Sequence, residues 1–181
     1  ELCQTYDIPL HLGGGEITPG KKGLEAAARE ARYRFFATIP VKIATAHTAN
    51  DNAETVLMHM VRGTGLKGLG GITPVRGNFI RPMLSVTRDE VLAFLEEYHI
   101  PYVTDSSNET DAFLRNRLRH HVLPLLREEN PKIAQNLSAM ALRLRQDEEA
   151  LDAIACEKYT NRVADLLALQ PAIRSRVLAK L

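Results

Sequence analysis

Apolar positions change their spacing along the chain, from short β-branched runs in its first two thirds to one long 3.6-residue stripe near its end. Asp7 to Leu12 and Val41 to Ala46 are short apolar runs that predict strands, the second of them buried because Val, Ile and Thr dominate it. Between them, Leu24 to Phe36 is rich in alanine and sets arginines between apolar positions, which predicts an amphipathic helix closed before Pro40. A helix is expected from Asp51 to Arg62, followed by a loop over Gly63 to Gly71, which holds five glycines. Asn78 to Leu84 predicts a further strand, placed at an edge or an end by Pro82.

Thr87 and Glu90 are spaced as a capping box, opening a helix with Val91, Leu92, Leu95 and Tyr98 on one face. A short strand at Tyr102 to Thr104 and a helix from Ala112 to Leu126 follow. Beyond Pro131 the stripe Ile133, Leu137, Met140, Leu144 continues through Leu151 and Ile154, and the remainder reads as helical. The alternation of strand and helix makes the first part α/β and the last part all-α. The expected organisation is a domain over 1–130 and a helical segment over 131–181.

Composition adds exclusions more than assignments. A hydrophobic share of 45% and a charged share of 25% are those of an ordinary globular chain, and the net charge of +1 favours no class of partner. Cys3 and Cys156 form no CxxC pair, which argues against structural zinc and against a disulfide framework. No apolar run approaches the ~20 residues that span a bilayer, so a cytoplasmic protein with no membrane partner is expected. The chain opens without Met in what reads as the end of a helix, and a piece of something longer is the expectation.

Three segments carry candidate chemistry. A strand delivers His47 at its C-terminal end, where open α/β sheets place ligands. Asp51 and Glu54 follow, one helical turn apart, so that both carboxylates project from one face and suit a hard cation such as Mg2+. The bland reading of the same residues is that acids in a first helical turn answer the helix dipole. Arg62 to Gly71 offers backbone that can approach a phosphate, with Arg62 and Lys67 for charge, although it has no GxxxxGK[ST] pattern and a flexible connector explains the composition as well. Asp105 to Asn108 leads into Arg115-Asn116-Arg117-Leu118-Arg119-His120-His121, a density of charge suited to RNA phosphates or to a solvated helix face. His120 and His121, being adjacent, point to different sides of a helix and make a poor metal pair.

In this order the segments resemble the tRNA(Ile)-lysidine synthetases. The matching stretches are Gly23 to Tyr33, Ala44 to Thr55, Arg62 to Leu69, Arg81-Pro82-Met83-Leu84, and Asp105 to Asn108 with Arg115 to Arg119 and Leu123-Pro124. The resemblance covers roughly Leu10 to Pro131. It implies an incomplete parallel-sheet ATP pyrophosphatase (PP-loop) domain followed by the helical start of a tRNA-recognition domain. It also implies ATP-dependent ligation of free lysine to the wobble cytidine of isoleucine tRNA, through an adenylated cytidine, with Mg2+ neutralising phosphate charge.

By the same resemblance His47, Asp51 and Glu54 are catalytic, and the two acids also bind metal or position ATP or lysine. Arg62, Gly63 and Gly65 meet nucleotide, while Arg29, Arg32, Asn108, Arg115 and Arg119 meet tRNA. The family's SGGxDS loop is missing, and the motif order puts it upstream of Glu1. Asn50 stands where the family often has Asp. The chain alone is therefore expected to be inactive, and its uncovered sheet to favour self-association, a homodimer included. The alternatives are a non-catalytic RNA-binding module and another tRNA-modifying ATP pyrophosphatase such as a cytidine thiolase. The second would need the clustered cysteines that Cys3 and Cys156 do not provide.

Overall fold

The computed structural model describes residues 2–14, 24–103 and 110–181, which form two compact units, Glu1–Ile43 and Ala44–Leu181. The segment Asp105 to Asn108 lies outside the described residues.

In the first unit, α1 (Leu2–Thr5) ends where Ile8 N–H donates to the Cys3 carbonyl at 2.7 Å. No strand forms over Asp7 to Leu12. A strand needs ladder partners, and Ile8, Leu10 and Leu12 are instead 56%, 62% and 83% exposed. The helix expected next is present as α2 (Leu24–Phe36). Gly13 packs against the Phe35 ring, where a Cβ would come within 2.4 Å of Cδ2.

The second unit begins as β1 (Ile43–Ala44) runs into it, and Thr45 N–H donates to the Ile80 carbonyl at 2.9 Å. A hairpin of β2 (Val75–Arg76) and β3 (Phe79–Ile80) pairs antiparallel, Val75 opposite Ile80, and the sheet order is β1-β3-β2. Gly77, at φ 56°, makes the turn. The α/β class expected from the alternation holds, although the strands are only two residues long.

Helix α3 (Ala49–Val61) is the central element. Ala49, Ala53, Val56 and Leu57 recur at helical spacing and are buried. Thr48 caps its start, with Asp51 completing a reciprocal box. The glycine-rich stretch after it is not loop throughout. It folds into a short helix, α4 (Leu66–Leu69), because His59 Nδ1–H donates to the Gly68 carbonyl at 2.6 Å and Gly63, at φ 70°, turns the chain back.

The capping box at Thr87 and Glu90 opens α5 (Arg88–Glu97), as its spacing required. Tyr102 and Val103 have no regular structure. Helix α6 (Leu114–Arg117) continues through a π-helical turn (Leu118–Val122) into α7 (Leu123–Glu129). Pro124 has no N–H for a helical bond and its ring crowds the preceding turn, which accounts for the wide turn just before it.

Helix α8 (Ile133–Glu157) packs along α3 and α4, and its buried positions Ala134, Ala141 and Ala155 are small enough to let backbones approach. Then α9 (Val163–Ala168) and α10 (Pro171–Leu178) fold back on its end around Ala155, Leu166, Ile173 and Val177. Glu148 and Asp152 on α8 pair with Arg176 and Lys180.

Candidate functional site

Asp51 and Glu54 stand one turn apart at the start of α3, and the capping box fixes where that turn begins. Asp51 Oδ2 accepts from the Thr48 backbone N–H at 2.8 Å and from Thr48 Oγ1 at 2.9 Å. The other oxygen, Oδ1, therefore faces away from the cap. Glu54 is 1% exposed. A buried carboxylate requires a cationic partner or a proton, and α6 with the π-helical turn supplies two guanidiniums.

Arg115 and Arg119 are four residues apart on one helical face. Arg115 Nε donates to Glu54 Oε2 at 2.6 Å and its Nη2 to Asp51 Oδ1 at 2.8 Å. Arg119 Nε donates to Glu54 Oε1 at 2.6 Å and its Nη2 to Glu54 Oε2 at 3.0 Å. The bidentate bond to Glu54 raises the Arg119 pKa further, against the opposing effect of burial. Two carboxylates face two guanidiniums, so the cluster is electrically balanced. Each arginine still keeps about a quarter of its side chain exposed.

The intervening residues aim these arginines. Asn116 is buried and its Nδ2 donates to the Thr110 carbonyl at 2.6 Å. Arg117 points the other way, donating to the carbonyls of Asp111 and Ala112. His120 Nδ1–H and His121 Nε2–H donate to the two oxygens of Asp111 at 2.7 and 2.6 Å, which holds the Asp111 carboxyl below its usual range. A π turn advances about 80° per residue against 100° in an α-helix, so adjacent histidines reach one carboxylate.

A cleft of about 640 Å3 opens beside the cluster, lined by Thr48, Asp51, Glu54, Arg88, Arg119 and His120 among others. Asn50 closes one rim by accepting the Arg88 N–H at 2.8 Å. His47, half-buried between Ala46 and Thr48, has its Nδ1 2.9 Å from Thr45 Oγ1. All four oxygens of Asp51 and Glu54 already accept bonds from Arg115, Arg119 or Thr48, so as arranged they fit guanidinium groups and not a resident Mg2+. Among the described residues no group of three or more His, Cys, Asp and Glu is placed to hold a metal ion.

Within the second unit, Arg62, Gly63 and Gly65 take no part in the ion pairs of this cluster. Arg62 is the exposed C-cap of α3, and Gly63 and Gly65 are exposed beside it. Arg29 and Arg32 are exposed on α2 in the first unit, Arg29 resting over the Tyr33 ring at 4.8 Å. Asn108 falls outside the described residues. Sequence reasoning missed the ion pairs between α3 and α6, whose only signal was the matched spacing of Asp51/Glu54 and Arg115/Arg119. It also missed Asn52, whose Oδ1 accepts Ile72 N–H at 2.7 Å and whose Nδ2 donates to Ser138 Oγ at 2.9 Å.

Comparison with known proteins gives this geometry its context. A tRNA(Ile)-lysidine synthase of Porphyromonas gingivalis is 40% identical over 173 residues, covering 88% of this chain and 37% of the relative. Proteins of the same name from Geobacillus kaustophilus and Bacillus subtilis are each 40% identical, over 86% and 84% of this chain and 35% and 34% of theirs. The chain thus spans a little over a third of the length of the curated relatives it matches. A family model for the PP-loop domain matches residues 1–126, the stretch that contains α3, the glycine-rich segment and both arginines of the cluster. The chain belongs to the PP-loop domain family.

Proposed function

We propose that this chain is part of a tRNA-modifying ligase that uses ATP to join free lysine to the wobble cytidine of isoleucine tRNA. The observation that carries the reading is the identity of 40% to proteins named tRNA(Ile)-lysidine synthase, across most of this chain. The PP-loop family match supports ATP as the source of the adenylyl group. The reading places the protein in the cytoplasm, with 1–130 as part of the catalytic domain and 131–181 leading toward tRNA recognition.

The chemistry of the cluster agrees with that reaction. Ligation of lysine to an adenylated base requires the amine to be held near a carbonyl carbon while phosphate charge leaves. Glu54 and Asp51 hold Arg115 so that its Nη1, with no hydrogen-bond partner among the described residues, remains a donor for a phosphate or carboxylate oxygen. His47 stands next to the cleft residues as a proton acceptor. Arg62, Gly63 and Gly65 would meet nucleotide, and Arg29, Arg32 and Asn108 the tRNA. Mg2+ would travel with ATP, because the Asp51 and Glu54 carboxylates are taken by arginine.

The test is ATP-dependent transfer of labelled lysine onto isoleucine tRNA transcript, run with this chain and with a version extended upstream. Transfer by the extended version, abolished by Glu54→Gln, supports the reading. If neither transfers lysine under conditions where a known synthase does, the non-catalytic RNA-binding reading replaces it.

A further inference from the structure

On the other side of α3 a second cleft, of about 500 Å3, is lined by Asn52, Arg81, Leu84, Ser138, Leu142 and Arg145 among others. Two arginines line it, and among the described residues neither has a carboxylate within ion-pair distance. Arg81 is 7% exposed, its Nη1 donates to the Thr73 carbonyl at 2.5 Å, and its Nε is buried with no hydrogen-bond partner among the described residues. Arg145 Nη2 donates to the Gly70 and Ile72 carbonyls. Among the described residues no carboxylate oxygen lies within 4 Å of either guanidinium, in contrast to Arg115 and Arg119.

Burial pushes the Arg145 pKa down; Glu149 opposes that shift and Arg81 adds to it. Backbone carbonyls supply only partial charges and Glu149 acts on Arg145 without pairing with it, so among the described residues neither guanidinium has a carboxylate in direct contact. Ser138, on α8, also lines the cleft, its hydroxyl donating to the Leu84 carbonyl at 3.1 Å. Planar guanidinium forks in a concave site match a tetrahedral oxyanion.

We propose that this cleft is a phosphate-type oxyanion site, held by Arg81 and Arg145 and separate from the Asp51–Glu54 cluster. The oxyanion is either free phosphate or a phosphate of an RNA backbone, and the two sources are separable. The site stands whether or not the chain takes part in lysine ligation.

The experiment titrates inorganic phosphate into the whole chain at constant ionic strength with chloride as the control, following arginine Nε–Hε resonances by NMR. The expected result is a saturable shift of the Arg81 resonance, assigned by its loss in Arg81→Lys, with phosphate affinity at least tenfold weaker in Arg145→Lys. No saturable shift in the wild-type chain overturns the proposal without reliance on any variant, as does an affinity that Arg145→Lys leaves unchanged. A second arm measures binding of isoleucine tRNA transcript against salt. If Arg145→Lys lowers the RNA affinity as well, the backbone is the source; if it leaves RNA binding unchanged while phosphate binding falls, the site takes the free ion.

Discussion

Arg115 Nε donates to Glu54 Oε2 at 2.6 Å, joining α6 to α3 across 61 residues of sequence. Glu54 is buried, and Arg115 and Arg119 together supply its counter-charge. Glu54→Gln keeps the shape but leaves two guanidiniums facing a neutral amide. Removing one member of a fully buried pair costs roughly 3–5 kcal/mol; with both arginines about a quarter exposed, a loss of roughly 2–3 kcal/mol is expected. Urea unfolding of the wild type and the variant measures it. A loss below about 0.5 kcal/mol would show that the pair is screened like an ordinary surface contact.

Arg115 and Arg119 share the Glu54 carboxylate, so their contributions should not add. In a double-mutant cycle of Arg115→Gln and Arg119→Gln, the second substitution should cost more than the first by about 1 kcal/mol. The first loss leaves the buried carboxylate one cation, and the second leaves it none. Additive losses would mean that each arginine acts through contacts other than Glu54.

Much of this cluster was legible in the sequence as parts. The capping box at Thr87 and Glu90 and the helix α2 need only neighbours a turn away, so local pattern suffices. Asp51 and Glu54 were likewise visible as a pair, and Arg115 and Arg119 as a basic face. Their union was not, since no local rule states that two faces 61 residues apart will meet. The apolar run Asp7 to Leu12 reads as a strand because its residues favour one, yet a strand exists only when a neighbour supplies the ladder. The glycine-rich stretch reads as loop because the cost of glycine in a helix is local, whereas the bond from His59 to Gly68 that holds α4 is not. Adjacent His120 and His121 were placed on different sides by α-helical geometry, and the π turn set by Pro124 changed that angle.

Gly71 and Gly77 both have positive φ, at 63° and 56°, but differ in their surroundings. A Cβ on Gly71 would stand 2.3 Å from Asn52 Oδ1, the oxygen that accepts Ile72 N–H, while a Cβ on Gly77 meets nothing within 4 Å. Gly77→Ala should therefore cost only the backbone term, about 1 kcal/mol. Gly71→Ala should cost that and the displaced Asn52 bond as well, roughly 2–4 kcal/mol in all. Equal losses in thermal or urea unfolding would show that the Asn52 carboxamide yields freely.

Hydrogen bonds from the Thr87 hydroxyl and backbone N–H hold the Glu90 carboxyl below its ordinary value of 4.5. A lowered carboxyl pKa means that the unfolded chain binds the proton more readily. The stability contributed by Glu90 is thus fully present above pH 4.5 and is lost as the pH falls through the lower folded value. In Glu90→Gln the amide can still accept from Thr87 N–H, but it cannot titrate. The melting temperature of the wild type should fall more steeply than that of Glu90→Gln on acidification below pH 4.5, with the two curves parallel above it. Curves that stay parallel throughout would mean that the capping box survives protonation of Glu90, and that Asp111, whose carboxyl is also lowered by His121 and His120, accounts for the acid sensitivity instead.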